Sequence, residues 1–193
     1  MNRLVVMTVG KTHSGKTSFA KALEKRLPGS LVIDQDVQAE FLHTYYQQIV
    51  PREGPNLIKN ALTKMIVEYA VDETASHVIL SNSNRHYDGR RRLLNYFASK
   101  GLKTIIVHFD IPEAILMERI ALSGRDTAIL RTVSTFEQVL VQQQADDSGK
   151  AIATPGKGEA DHLFTIKKEA DTESAIQNIL DIINEQKIKC TEG

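Results

Sequence analysis

The sequence predicts an α/β protein in which a parallel β-sheet carries helices on both faces. The predicted strands are continuous apolar runs, which is typical of strands that are buried on both sides. Amphipathic helical segments separate these strands, as parallel strands require a crossover connection. The chain of 193 residues has no internal repeat and no composition break, so we predict a single domain over residues 1–193.

Five short apolar segments are the predicted strands. They lie at residues 4–9, 30–34, 77–81, 103–110 and 162–166. The first, LVVMTV, is rich in β-branched residues and runs directly into a glycine. A strand followed at once by glycine indicates a sharp turn at the end of the strand.

The segments between these strands have helical periodicity. In residues 16–27 the apolar side chains share one face, and Pro28 and Gly29 end the helix. From Leu57 to Ala70 apolar pairs recur every four residues, which predicts a long helix with one apolar stripe. Further helices are predicted near residues 37–50, after the basic residues 90–92, at 112–122, after Ser134 and around 175–183.

Composition excludes several classes of protein. The chain has 24 basic and 24 acidic residues, and this balance disfavours a general attraction to nucleic acid or to an anionic membrane. No apolar run approaches the roughly 18 residues that span a bilayer. The single cysteine, Cys190, cannot form a disulfide framework. We therefore expect a cytoplasmic protein without a membrane segment.

The stretch GKTHSGKT, residues 10–17, has the spacing of a phosphate-binding loop. It lies between a predicted strand and a predicted helix, so its N–H groups and the helix N-terminus would surround a phosphate. Lys16 would reach the β- and γ-phosphates, and the Thr17 hydroxyl would hold Mg²⁺. The predicted ATP-binding residues here are Gly10, His13, Ser14, Gly15, Lys16, Thr17 and Ser18.

Two acids follow the second predicted strand in the sequence DQD. The carboxyl ends of neighbouring parallel strands face one crevice, so Asp34 and Asp36 would lie beside the γ-phosphate. Asp36 is the candidate catalytic base and acceptor ligand, and Asp34 is the candidate metal ligand. Alternatively, Asp36 caps the next helix and Asp34 is a solvated turn residue.

Two arginines flank a polar segment after the fourth predicted strand. We predict a mobile lid at about residues 123–133, from which Arg125 could stabilise the transferring phosphate. Arg119 precedes this lid, and Arg131 is a weaker candidate within it. Alternatively, these arginines are solvated cations near helix C-termini.

In these motifs the chain resembles the small P-loop kinases of the nucleoside and nucleotide kinase group. The resemblance implies the three-layer P-loop NTPase fold with strand order 2-3-1-4-5. Within that group, the segment from Val78 to Gly101 is similar to a region of polynucleotide 5′-hydroxyl kinases and their predicted-kinase relatives. Their strand ends in Asp-Thr-Asn; here Asn84 matches the asparagine, but Asn82 stands where they have aspartate. Chloramphenicol phosphotransferases and zeta-toxin-type kinases are also similar.

The resemblance also implies roles for individual residues. Asp36 would be the general base, Arg119 would lie against the adenine, and Arg125 would be the lid arginine. Pro155 would line the adenine base. Asn84 and Arg85 are candidate substrate-binding residues.

The sequence therefore predicts an ATP-dependent, Mg²⁺-requiring kinase that phosphorylates a hydroxyl of a small molecule. A nucleoside, nucleotide, sugar or antibiotic would fit, while a nucleic acid is not favoured. We expect a monomer or homodimer. The alternative is an ATP-binding regulatory or assembly protein without a phosphoryl acceptor, because ILSNSN provides no carboxylate after the third strand.

Overall fold

The structure is a computed structural model that describes residues 3–147, 149 and 151–191. Side chains are described as far as residue 185, so that of Cys190 lies outside the described part. No helix in the described part of the chain is long and apolar enough to cross a membrane.

The centre of the molecule is a five-stranded sheet with the order β2-β3-β1-β4-β5. All four neighbouring pairs are parallel. The strands are β1 (Leu4–Val9), β2 (Ser30–Ile33), β3 (His77–Leu80), β4 (Lys103–Phe109) and β5 (His162–Ile166). The predicted strand positions and the strand order are confirmed.

Helices connect these strands and cover the sheet. They are α1 (Lys16–Arg26), α2 (Gln35–Tyr45), α3 (Leu57–Asp72), α4 (Tyr87–Ser99), α5 (Glu113–Ala121), α6 (Phe136–Asp147) and α7 (Ala170–Thr191), with a short 3₁₀ helix at Gln47–Ile49. α2 begins two residues earlier than the sequence predicts. The reason is that Asp34 caps it, with its carboxylate accepting a hydrogen bond from the Asp36 N–H.

The central strand β1 divides the core into two apolar layers. Leu4 and Val6 pack into the layer that contains α1 and α7, whereas Val5 and Met7 pack into the layer of α3 and α4. This alternation explains why the strand is apolar at every position except Thr8, whose hydroxyl donates to the carbonyls of Leu80 and Asn82. Because all of β1 is buried, the loop that follows Val9 starts from a fixed point.

A third, smaller apolar cluster joins α5 to α6. Leu116 and Ile120 pack against Phe136 and Leu140, all of them buried. The predicted lid lies between these two helices and contains no helix or strand of its own. The ends of the lid are therefore held by packing, and its mobility remains a prediction.

Candidate active site

Residues 10–17 form a tight loop between β1 and α1. Gly10 leaves no room for a side chain, because a Cβ atom there would lie 2.8 Å from the Cβ of Phe109. His13 and Gly15 have positive φ angles of 56° and 99°, and backbone of this kind is used to build anion-binding concavities. Gly15 is also the N-cap of α1 and provides no side-chain cap. The N–H groups of the first turn of α1 are thus free to bind an anion.

The Lys16 side chain folds back over this loop. Its ammonium donates to the Lys11 carbonyl and to Ser14 Oγ, the latter at 3.1 Å. Burial lowers the pKa of Lys16 to about 8, against the opposing effect of the Asp36 carboxylate. A phosphate placed in the loop would offer this ammonium stronger acceptors than a carbonyl and a hydroxyl do.

Thr17, Asp34 and Ser81 meet beside the loop. Thr17 Oγ1 donates to Asp34 Oδ2 at 3.0 Å, and Ser81 Oγ lies 3.4 Å from Thr17 Oγ1. Asp34 is buried and caps α2, while Asp36 lies within that helix. The alternative in which Asp36 is the cap and Asp34 is solvated is therefore wrong. The cause is the hydroxyl of Thr17, which gives the buried carboxylate a partner.

Asp36 faces the lid. Its carboxylate is paired with the guanidinium of Arg125, and the two side chains are 49% and 36% exposed. The Arg125 guanidinium carbon also lies 4.8 Å from the centroid of the Phe136 ring, a cation–π contact. The structure thus brings together two residues that are 89 positions apart in the sequence.

These groups line one cleft of about 1140 Å³. The lining residues near the two opposite edge strands of the sheet, β2 and β5, form what we call its two arms. We name them by the nearest helix. The α7 arm is lined by Arg119, Lys168, Glu169 and Thr172. The α2 arm is lined by Asp36, Val37, Glu40, His43 and Lys59. Lys16, Thr17 and the exposed Ser18 lie between them.

Arg119 lies in this cleft, at the backbone of the loop. Its guanidinium is 3.4 Å from the His13 carbonyl oxygen and 3.3 Å from that of Ser14. The resemblance implied a contact with adenine at this position. The structure places the side chain at the junction between the loop and the α7 arm.

Arg85, Asn84 and Pro155 lie elsewhere. Arg85 is buried, is paired with Asp147, and lines a second cavity of about 350 Å³ together with Pro155. Asn84, with a φ angle of 45°, donates from Nδ2 to the Thr8 carbonyl at 2.9 Å. The structure therefore does not bring Asn84 and Arg85 to Asp36, because backbone and α6 partners hold them.

Sequence reasoning did not predict the contacts of several residues at this edge of the sheet. Ser81 contacts Thr17, and Asn82 Oδ1 accepts a hydrogen bond of 2.9 Å from the N–H of Gln35. Asn82 thus fixes the start of α2 where the relatives carry an acid. Lys168, Glu169 and Thr172, which follow β5, line the α7 arm. Their position just after the carboxyl end of a parallel strand is a signal that could have found them.

Fold and loop together define this protein as a P-loop protein with the architecture of the small kinases. Residues 5–144 match the protein family described as "AAA domain". The chain belongs to this family. A search of the curated proteins finds no match.

Solved structures of several P-loop proteins share the fold. Kti12 of Chaetomium thermophilum, solved with ADP-AlF3, is 16% identical with a TM-score of 0.63, covering 92% of this chain and 97% of that one. The APS kinase CysC of Mycobacterium tuberculosis, solved with AMPPNP and APS, is 15% identical with a TM-score of 0.57, covering 95% and 98%. Shikimate kinase of Bacteroides thetaiotaomicron is 17% identical with a TM-score of 0.56, covering 94% and 98%. At these identities the likeness is one of fold.

Proposed function

We propose that the protein is an ATP-dependent kinase that transfers the γ-phosphate to a hydroxyl group of a small molecule. The observation that carries this proposal is the position of Asp36. It is a half-exposed carboxylate in the same cleft as the loop, and it is paired with an arginine of the lid. Phosphoryl transfer to a hydroxyl uses such a pair, a base for the proton and a cation for the phosphate charge.

The phosphates of ATP would occupy the loop, where the N–H groups and the N-terminus of α1 favour negative charge. Lys16 would exchange its present acceptors for phosphate oxygens. With its phosphates in the loop and its γ-phosphate toward Asp36, ATP would place its base in the α7 arm, near Arg119 and Lys168. Kti12 with ADP-AlF3 and the APS kinase with AMPPNP support nucleotide binding by this fold.

Thr17, Asp34 and Ser81 fit a Mg²⁺ ion. Mg²⁺ in phosphoryl-transfer sites is bound by one or two protein oxygens together with phosphate oxygens and water. The described residues contain no group of three or more His, Cys, Asp or Glu that could hold a metal ion. The one carboxylate and two hydroxyls that meet beside the loop match a site that is shared with phosphate oxygens and water. The ion would neutralise charge on the β- and γ-phosphates.

In the transfer step, the acceptor oxygen forms a bond to the γ-phosphorus while the bond from that phosphorus to the β–γ bridging oxygen breaks. ADP leaves, and the proton of the acceptor hydroxyl passes to the Asp36 carboxylate. Arg125 must give up part of its contact with Asp36 when the acceptor arrives. Its guanidinium is then available to the equatorial oxygens of the transferring group.

The acceptor would bind in the α2 arm. Glu40, His43 and Lys59 line it, so its wall carries acidic, basic and neutral groups. Such a wall suits a polar molecule with hydroxyl groups. A nucleoside, nucleotide, sugar or hydroxyl-bearing antibiotic meets that description.

The first test is ATP consumption by the purified protein with Mg²⁺ against a panel of acceptors. The panel holds nucleosides, nucleotides, sugars, hydroxylated antibiotics and 5′-hydroxyl oligonucleotides, and Lys16→Ala is the blank. Stimulation by one class supports the proposal and identifies the acceptor. Tight ATP binding without stimulation by any class would favour an ATP-binding regulatory protein. The absence of a carboxylate at positions 81 and 82, where Ser81 and Asn82 stand, also favours that alternative.

A further inference from the structure

Helix α6 contacts three consecutive residues of the phosphate-binding loop. Lys11 Nζ lies 2.7 Å from Asp147 Oδ2, and the Thr12 N–H donates to Gln143 Oε1 at 2.8 Å. The ring of His13 packs edge-on against that of Phe136, with centroids 4.9 Å apart.

The three α6 residues lie on one face of the helix. Phe136, Gln143 and Asp147 are separated by seven and four positions, and Leu140, which is buried, lies between them on the same face. α6 therefore follows the loop along its length. These contacts join the loop to a helix that begins just after the predicted lid.

At the N-terminal end of α6, Phe136 contacts both sides of the site. One part of its ring meets His13 of the loop, and the guanidinium of Arg125 lies over it, 4.8 Å from the centroid. Arg125 in turn is paired with Asp36. The contacts run without a gap from the loop to the lid arginine and the candidate base.

We propose that His13 and Phe136 are positioning residues that couple nucleotide binding in the loop to the placement of Arg125. The inference deepens the proposed function, on which its catalytic part rests. When phosphate fills the loop, the His13 ring, whose backbone forms part of the loop, sets the Phe136 ring. That ring then holds the guanidinium over the site.

The state of the His13 ring suits this role. Nδ1 is 3.0 Å from Thr12 Oγ1, while Nε2 is buried and none of the described residues forms a hydrogen bond with it. Burial lowers the pKa of His13, the positive charges of Arg125 and Lys16 lower it further, and Glu137 opposes them. A neutral ring can pack on Phe136 without repelling the nearby guanidinium.

The first experiment follows the lid directly and needs no acceptor. Hydrogen–deuterium exchange of residues 122–135 is measured with and without a non-hydrolysable ATP analogue and Mg²⁺. We expect the analogue to slow exchange in the wild-type lid by about tenfold, within the range of typical coupling between sites. Phe136→Leu should bind the analogue as well as wild type but lose this protection.

Two further variants test the chemistry of the contact. Phe136→Tyr keeps the aromatic face and should retain the protection. His13→Asn removes the ring while tolerating the positive φ angle of that position, and it should reduce the protection as Phe136→Leu does. The matched control is Val141→Ala, an exposed position of the same helix, which should behave as wild type.

A second readout applies once an acceptor is known. Phe136→Leu should lower kcat about tenfold with the KM for ATP unchanged, because Arg125 acts on the transferring phosphate. Equal protection in wild type and Phe136→Leu would overturn the inference. A loss of protection in Phe136→Tyr as large as that in Phe136→Leu would also overturn it. If the analogue does not protect the wild-type lid, the coupling is absent whether or not turnover is found. If protection depends on Phe136 but no acceptor is phosphorylated, the coupling stands and the kinase proposal fails.

Discussion

Two regions of the cleft differ sharply in how they are held. The P-loop region consists of residues 10–17 with Asp34 and Ser81, and its polar side chains Thr12, Ser14, Asp34 and Ser81 are buried. In helix α2, which provides most of the α2 arm, only Leu42 is buried, and Val37, Phe41 and Tyr45 are exposed. The P-loop region is therefore organised by the fold itself. Helix α2 packs less completely, and this suits a part of the site that adapts to its ligand.

The substitution Asp36→Asn should have the largest effect, and it should affect catalysis but not ATP binding in the P-loop region. Asparagine keeps the size of the side chain but cannot accept the proton of the acceptor hydroxyl. We expect kcat to fall by about 10²–10⁴-fold, the usual contribution of a general base. The Kd for ATP should stay within about twofold, because the pair with Arg125 is partly exposed and contributes little.

Steady-state kinetics and equilibrium binding of a fluorescent ATP analogue measure the two quantities. Glu40→Gln is the matched control, since it neutralises another carboxylate of the same arm. Unchanged turnover in Asp36→Asn would contradict both the assigned base and the kinase mechanism.

Asp34→Asn tests the P-loop region in turn. Asparagine is still a good helix cap, so α2 should be preserved. The charge beside Thr17 is lost, however, and we expect the Mg²⁺ concentration for half-maximal ATP binding to rise by about 10–100-fold. A magnesium titration at fixed ATP measures the effect. Thr17→Ser, which retains the hydroxyl, is the control and should shift the titration little. An unshifted titration in Asp34→Asn would contradict the assignment of the Mg²⁺ site to Asp34.

The same contrast governs how much the sequence could predict. Residues 10–17 were predictable because a local spacing dictates the backbone, and Gly15 at a φ of 99° is what that spacing requires. The strand order followed from the resemblance to P-loop kinases. The pairing of Arg85 with Asp147 could not be predicted, because the two residues lie 62 positions apart and no local pattern reports such a contact. The contact of Phe136 with His13 was missed for the same reason.

The pH dependence of ATP binding tests the P-loop region through the protonation of Lys16. In the free protein burial lowers the pKa of this ammonium to about 8. A bound triphosphate favours the charged form and raises the pKa, so binding takes up a proton above pH 8. We expect full affinity below pH 8 and a loss of up to tenfold per pH unit above it, because one proton is linked.

Isothermal titration of a non-hydrolysable ATP analogue between pH 6.5 and pH 9.5, roughly one to two units either side of that pKa, gives the profile. Lys16→Gln should bind more weakly at every pH and lack the loss above pH 8. A wild-type profile that is flat throughout would mean that Lys16 remains charged in the free protein.

The smallest effect is expected at Tyr45, the last residue of helix α2. Its side chain is 70% exposed and its ring contacts Phe41 at 5.4 Å between centroids. Tyr45→Ala should change the free energy of unfolding by no more than about 0.5 kcal/mol, as is usual for surface positions. Leu23→Ala, in the buried face of the helix that carries the P-loop, should cost about 2–5 kcal/mol.

Urea denaturation of both variants measures this contrast. A loss of more than about 1.5 kcal/mol in Tyr45→Ala would show that the aromatic side chains of α2 already stabilise the free protein, since surface positions rarely cost so much. With the expected small loss, Tyr45 is free to be tested for acceptor binding. A raised KM for the acceptor in a variant of unchanged stability then reports recognition alone, because neither the fold nor the P-loop region has been disturbed.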